Sequence, residues 1–329
     1  VLVAAVVACA SCAGHRPTPA PPVFPLSPAW KTPLDDFVEP PLAADHARVF
    51  VASRDGAVRA LELSTGRVLW KVDGIPGRLT ATDGTLLVRA EDGAVWSLTP
   101  RSGAVRWKVE TGVTGALAAV LDDARALVAG HGLVALDLAS GQTVWSDPGG
   151  EETTAPPVPA GSRLLTGEKD GTLRCRDRAT GVTLWTLRTR GPLLAPPLVD
   201  LARRRIYLGT TDKRILEVDL EKGRPGWRWI VGADVASHGL LLPRQLLFAS
   251  YDAVLWSLGR GGSLRWRGAL PSRPLSGPVM LRGRVLVACL ENEIVAFSPE
   301  TGARTGALRT AAEIRTPPLV ADSLVVVGL

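Results

Sequence analysis

Apolar and polar positions alternate along this chain in short runs, each stopped by a glycine or an Asp-Gly pair, and residues 37 to 329 carry no sustained helical period. The runs recur as a block. Residues 48–73 read RVFVASRDGAVRALELSTGRVLWKVD and residues 163–187 read RLLTGEKDGTLRCRDRATGVTLWTL, with an apolar run, a turn, an alternating run, a second turn and a tryptophan strand in one order. Trp70, Trp107, Trp145, Trp185, Trp227 and Trp266 mark the period with gaps of 37, 38, 40, 42 and 39 residues, the length of one four-stranded propeller blade.

Turn chemistry supports the reading. Asp55-Gly56, Asp92-Gly93 and Asp170-Gly171 sit between short β-rich runs, where type I′ hairpins with positive φ at both central residues are expected. A second glycine turn closes each copy, at Gly66, Gly103, Gly141, Gly181, Gly223, Gly262 and Gly302. Asp137, Asp177 and Asp219 precede that turn at one repeat position, so they read as turn caps and not as an acid/base pair. Prolines at Pro40-Pro41, Pro156-Pro157, Pro196-Pro197, Pro278 and Pro317-Pro318 announce first strands, where a missing N–H costs no ladder bond.

Seven full copies run approximately 40–74, 79–112, 116–148, 156–191, 195–232, 235–271 and 276–310, and an eighth starts at Thr316 and reaches Leu329 after two strands. Residues 27–35, SPAWKTPLD, resemble an isolated outermost strand, with Trp30 standing 40 residues before Trp70. The expected fold is therefore all-β: an eight-bladed propeller of four-stranded antiparallel blades, its last blade incomplete and closed by the N-terminal strand, which removes exposed sheet edges. That count leaves the third strand of the last blade missing. A chain that starts without Met and stops inside a strand is expected to be clipped at both ends.

Three segments follow. Residues 1–12 are apolar and rich in small residues, too short to span a bilayer, and read as an export signal. Val6-Val7-Ala8-Cys9 is similar to a bacterial lipobox, which makes Cys9 the expected lipidation site, with Cys12 the alternative. Residues 13–36 form a proline-rich tether that includes the closing strand 27–35, and residues 37–329 form the propeller domain.

Composition narrows the function. The net charge of +6 comes mostly from arginines distributed with acids through every copy, without a basic-aromatic cluster, so no nucleic-acid partner is expected. Cys175 and Cys289 replace apolar residues in separate copies and read as buried thiols. His15, His46, His131 and His238 show no metal-ligand spacing, His131 taking a turn-glycine slot, and neither a GxSxG elbow nor a GxxxxGK[ST] loop occurs. No catalytic, cofactor-binding or metal-binding residues are assigned, and no cofactor is expected.

The repeat DGxxxALdxxTGxxxW, as in residues 55–70 (DGAVRALELSTGRVLW), resembles that of pyrroloquinoline-quinone-type eight-bladed propellers, and the resemblance covers residues 40–329. Within that group, size, signal, lipobox and tether are most similar to the BamB-like lipoproteins of outer-membrane protein assembly. That resemblance implies a non-catalytic scaffold, lipid-anchored on the periplasmic face of the outer membrane, that binds the barrel-assembly subunit and assists outer-membrane protein insertion. It also implies a docking loop between central blades: Leu187 and Arg190 match its pattern, whereas Thr189 stands where the family has a second leucine. A surface-binding propeller with another partner is the alternative. A quinone-dependent dehydrogenase fits less well, because those enzymes are nearly twice as long and nothing here matches their adjacent-cysteine disulfide.

Overall fold

The computed structural model describes residues 2–6 and 26–329, and arranges them as eight antiparallel sheets in a propeller ring. Blade 4 shows the plan. Its strands Val158–Ala160, Arg163–Gly167, Thr172–Asp177 and Thr183–Arg188 pair in sequence order. First strands of successive blades approach one another, as Val38–Ala44 does with Arg78–Ala81, so they surround the axis and the tryptophan strands form the rim. Eight apolar clusters, most of them spanning two neighbouring blades, constitute the core, and burying them is the main force closing the ring.

The tryptophan period has a direct cause. Each rim tryptophan lies on the second-turn glycine of the next blade and donates its indole N–H to a carbonyl there: Trp70 to Pro100 at 2.9 Å, Trp107 to Leu138 at 3.1 Å, Trp185 to Leu220 at 3.1 Å. Trp145, Trp227 and Trp266 repeat the bond to Arg178, Arg260 and Pro299. A Cβ on Gly103, Gly141, Gly181, Gly223, Gly262 or Gly302 would sit under 3.0 Å from the ring, so the glycine is needed both for its positive φ and for the indole that covers it. Trp30 completes the set by bonding Leu63 O at 2.8 Å and covering Gly66, which fastens the closing blade to blade 1. Blade 7 alone has Gly306 in the tryptophan position of its rim strand, Arg304–Arg309.

Closure follows the expected route with one correction. Ser27–Thr32 is the outermost strand of the eighth sheet, whose inner strands are Leu319–Ala321 and Leu324–Gly328. The third position is not empty: Leu2–Val6 occupies it, pairing with Leu324–Gly328 on one side and Ser27–Thr32 on the other. An apolar run of valine and alanine satisfies both ladders, and Leu2 is fully buried beside Trp30 and Val326. These residues belong to the segment read as an export signal. The rest of that segment, with Cys9 and Cys12, lies outside the described residues, as does most of the tether.

The hairpins also depart from expectation. Gly56, Gly93 and Gly171 have φ of +78°, +100° and +90°, but their aspartates do not enter the left-handed region. Instead Asp55, Asp92 and Asp170 accept the amide two residues on, from Ala57, Ala94 and Thr172, and Gly56 N–H bonds Ser53 O at 2.9 Å. The result is a tight turn followed by a left-handed residue, not a type I′ pair, because the aspartate side chain stabilises the turn with ordinary φ. Blades 5, 6 and 7 place Lys213, Ala253 and Asn292 in the left-handed slot at φ of 63°, 61° and 60°. In blade 3 the second and third strand positions fall in one element, Arg125–Asp137, which passes through Gly130-His131-Gly132 where other copies carry a longer turn. In blade 1, Pro40 and Pro41 lie inside the first strand at a register shift and not ahead of it.

Candidate functional site

Most inner strands are short and apolar, as in Val158–Ala160, Leu240–Leu242, Val279–Leu281 and Leu319–Ala321, so much of the axis is walled by aliphatic side chains and backbone, while Val38–Ala44 brings Glu39 and Arg78–Ala81 brings Arg78 to it. Two inner strands end in buried carboxylates, and both are committed. Asp122 accepts Arg178 Nε at 2.7 Å, and Asp200 pairs with Arg260 Nη1. Each arginine reaches back to the preceding blade while its own carbonyl receives that blade's rim tryptophan, so these carboxylates bind blade to blade. These two carboxylates therefore offer no free oxygens to a divalent cation that would hold a quinone.

Turn aspartates behave as caps. Asp177 Oδ1 accepts Ala179 N, Thr180 N and Thr180 Oγ1 at 3.0, 2.9 and 2.9 Å, and the Thr180 bonds hold its carboxyl below the usual range. Asp137 does the same with Ser140, with the same consequence. Asp219 accepts Glu221 N and Lys222 N, both at 2.9 Å.

Two polar clusters were not legible in the sequence. Asp45, His46 and Asp83 converge where the first turns of blades 1 and 2 meet, His46 Nδ1 lying 2.6 Å from Asp83 Oδ1. As a metal site the trio is poor, because Asp45 already accepts Ala47 N, Arg48 N and Arg48 Nη1. Between blades 3 and 4, a cavity of about 470 Å³ is lined by His131, Asp147, Glu152, Lys169 and Arg174. Its charges are matched: Arg174 bonds Glu168 at 2.6 and 2.9 Å, Arg176 Nη1 lies 2.8 Å from Asp147, and Lys169 Nζ 2.7 Å from Glu152. Cys175 and Cys289 are free and buried, and burial pushes each thiol up to about 11, which leaves no thiolate nucleophile at neutral pH.

The link from blade 4 to blade 5 carries the residues selected from sequence. Thr189, standing at the family's leucine position, pins the link: its N–H bonds Gly171 O at 2.8 Å, and its hydroxyl lies 2.7 Å from Gly171 O and 2.9 Å from Gly191 O. Thr111 and Thr310 make the same bond in their blades. Further along, Leu193 is buried and its carbonyl accepts Thr154 Oγ1 at 2.6 Å, while Leu194 is 43% exposed. Leu187 is half-buried against the blade 4–5 cluster, and Arg190 is exposed without an ion pair among the described residues. Both line a groove of about 330 Å³ whose opposite wall is Leu216, Pro225, Trp227 and Arg228 from blade 5. The groove thus has an apolar floor and a cationic lip. Leu216 and Arg228 were missed because their place in the groove depends on how two blades splay apart, which no repeat register encodes.

The sequence pattern of the family described as outer membrane protein assembly factor BamB matches residues 27–155 and 129–328. The chain belongs to the BamB family. A curated BamB of Legionella pneumophila (strain Paris) is 26% identical over 180 residues, a stretch covering 51% of this chain and only 46% of that protein. Among solved structures, BamB from Moraxella catarrhalis superposes with a TM-score of 0.73 at 19% identity, covering 87% of this chain and 95% of its own. The computationally designed Ika8 protein gives 0.74 at 17%, over 88% of this chain and 95% of that one. A quinohemoprotein alcohol dehydrogenase from Comamonas testosteroni gives 0.67 at 12%, over 84% and 68%. These three superpositions speak to the fold alone. It is the sequence match that separates the BamB family from the other propellers.

Proposed function

We propose that the chain is a non-catalytic scaffold of the cell envelope that binds the outer-membrane protein assembly machinery and assists insertion of outer-membrane proteins. The observation that carries this reading is the BamB-family match over nearly the whole ring. In it, Cys9 is the lipid-bearing residue at the periplasmic face of the outer membrane, so processing at Cys9 takes Leu2–Val6 out of the closing blade; residues 13–36, with the closing strand, serve as tether, and the blade 4–5 groove with Leu187 and Arg190 is the docking site. Physical chemistry supports the groove: an arginine fork beside an apolar floor is the combination that dominates protein interfaces, and a pinned link loses little entropy on binding.

Crosslinking membranes that express the full chain, then purifying it, tests the proposal. Co-purification of the barrel-assembly subunit, reduced at least tenfold by Arg190→Glu with Leu187→Asn, is the expected result. Recovery of an unrelated envelope protein in its place would favour the alternative binding propeller. Cofactor-dependent dye reduction after addition of pyrroloquinoline quinone and calcium would establish an enzyme and overturn both.

A further inference from the structure

Charge is divided across the ring. Residues 38–152, blades 1 to 3, hold eleven Lys/Arg against fifteen Asp/Glu, a net of −4, whereas residues 195–310, blades 5 to 7, hold seventeen against ten, a net of +7. The rim strands show the same division in finer detail. On blades 1 and 2, Lys71 and Lys108 are each neutralised by an acid two residues on, Asp73 at 2.7 Å and Glu110 at 2.8 Å, and Arg106, bonded to the Thr99 hydroxyl, is the one rim-strand cation there without an acid among the described residues. On blades 5 to 7, Arg228, Arg265, Arg267 and Arg309 project from Pro225–Ile230, Leu264–Ala269 and Arg304–Arg309, all exposed and none ion-paired among the described residues. Ile230 is interleaved with them at 72% exposure, the highest of any large apolar side chain described, and Leu264 beside Arg265 is 44% exposed.

We propose that this rim of blades 5 to 7 rests on an anionic lipid bilayer. Guanidinium groups without partners gain from phosphate headgroups without breaking any internal bond, and the interleaved Ile230 and Leu264 can enter the headgroup layer beside them. Continuity with the N-terminal segment favours a bilayer over an acidic protein. Leu26, directly before the closing strand, is buried in the cluster that Leu308 of blade 7 packs against, so the closing strand enters the ring at the end of the basic arc. A chain tethered there meets the membrane with its cationic rim first and keeps its acidic half away from a like-charged surface. This inference rests on the envelope reading for its setting, but the contact itself requires neither the lipid nor the assembly machinery.

The test is flotation of the full chain, unlipidated as Cys9→Ser with Cys12→Ser, on vesicles of phosphatidylcholine alone or with about 30% phosphatidylglycerol. Binding to the anionic vesicles only, lost in high salt, is expected. Arg265→Gln, Arg267→Gln and Arg309→Gln together should weaken partitioning roughly 100-fold, at roughly fivefold per arginine, while Lys71→Gln with Lys108→Gln leaves it unchanged. Equal binding to both vesicle types, equal loss in the two variants, or binding of a poly-glutamate peptide with no vesicle binding would each overturn the proposal. Circular dichroism of the variants separates unfolding from lost contact. Co-purification with the assembly subunit is read independently, so failure of either proposal leaves the other standing.

Discussion

Gly181 lies at the junction of blades 3 and 4, with φ of +76° and the Trp145 ring above it. Replacing it by alanine imposes two separate costs. Left-handed backbone costs an alanine about 1–2 kcal/mol, of which roughly 0.4–1 kcal/mol is returned by the stiffer unfolded chain. The new Cβ would also stand 2.6 Å from Trp145 Cε3 and 2.9 Å from two further ring atoms, against a carbon contact distance of about 3.5–4.0 Å. The indole must therefore retreat by roughly 1 Å, giving up its bond to Arg178 O, about 1 kcal/mol, and much of its packing, about 1–3 kcal/mol. Gly112 provides the control: its φ is +72° and nothing lies within 4 Å of its would-be Cβ, so Gly112→Ala carries only the backbone cost.

Urea unfolding followed by fluorescence should then show Gly112→Ala near 1 kcal/mol and Gly181→Ala about 2–4 kcal/mol beyond it. A double-mutant cycle sharpens the point. In a Trp145→Ala background the clash has no partner, and Gly181→Ala should fall back to the Gly112→Ala value. Equal costs for the two glycines, or strict additivity with Trp145→Ala, would refute the view that the tryptophan period exists to cover the turn of the next blade.

Four further outcomes are expected. Ala253→Gly and Lys213→Gly relieve left-handed strain at φ of 61° and 63° and should each stabilise by about 0.5–1 kcal/mol in the same urea assay. Asp200→Asn removes the buried partner of half-buried Arg260 between blades 5 and 6 and should cost about 3 kcal/mol, whereas Asp73→Asn, at an exposed pair with Lys71, should cost under about 0.5 kcal/mol. Asp137 and Asp177 are held below their usual range chiefly by Ser140 and Thr180, so the stability they provide is present above the unfolded carboxylate value near pH 4 and is lost as pH falls through their lower folded values; Ser140→Ala with Thr180→Val should flatten that acid limb in a pH-dependent melting series. Cys175 and Cys289, pushed up to about 11, should resist alkylation in the folded protein at pH 8 and react only on unfolding, as a timed thiol assay would show.

The fold was legible because its repeated contact joins two local signals, a turn glycine and a tryptophan, that stay in register from copy to copy. Turn caps were legible for the same reason, since Asp177 and its bonded amides lie within three residues of one another. The type I′ assignment failed because Asp-Gly has two solutions, and the choice depends on whether the carboxylate bonds forward, as Asp55 does to Ala57. Blades 5 to 7 blurred the hairpin signal further, with Lys213, Ala253 and Asn292 taking a place that glycine marks elsewhere. The groove was half-legible: its blade 4 wall lies in one loop, but Leu216 and Trp227 come from the following blade. The filled third position of the closing blade was hidden, because Leu2–Val6 and Leu324–Gly328 meet only once the ring has closed.

Direction matters in this ring. Every described tryptophan lock points from one blade to the next, from Trp30 on Gly66 to Trp266 on Gly302, and the junction from blade 7 to blade 8 lacks one because Gly306 replaces the tryptophan. That junction is held by apolar contact through Leu26, Leu308, Ile314 and Val325. In an array whose stability is a sum of neighbour terms, the interface missing an indole and its hydrogen bond is the one that opens first. The Ser27–Thr32 strand therefore has two duties: it completes the closing sheet, and it carries the tryptophan that secures that sheet to blade 1. The blade 4–5 groove stands three blades away from this seam, flanked by the Trp145 and Trp227 locks and spanned by that of Trp185. A partner docked there would meet a locked junction with a locked neighbour on each side, so little of its binding energy would be lost to ordering the surface it holds.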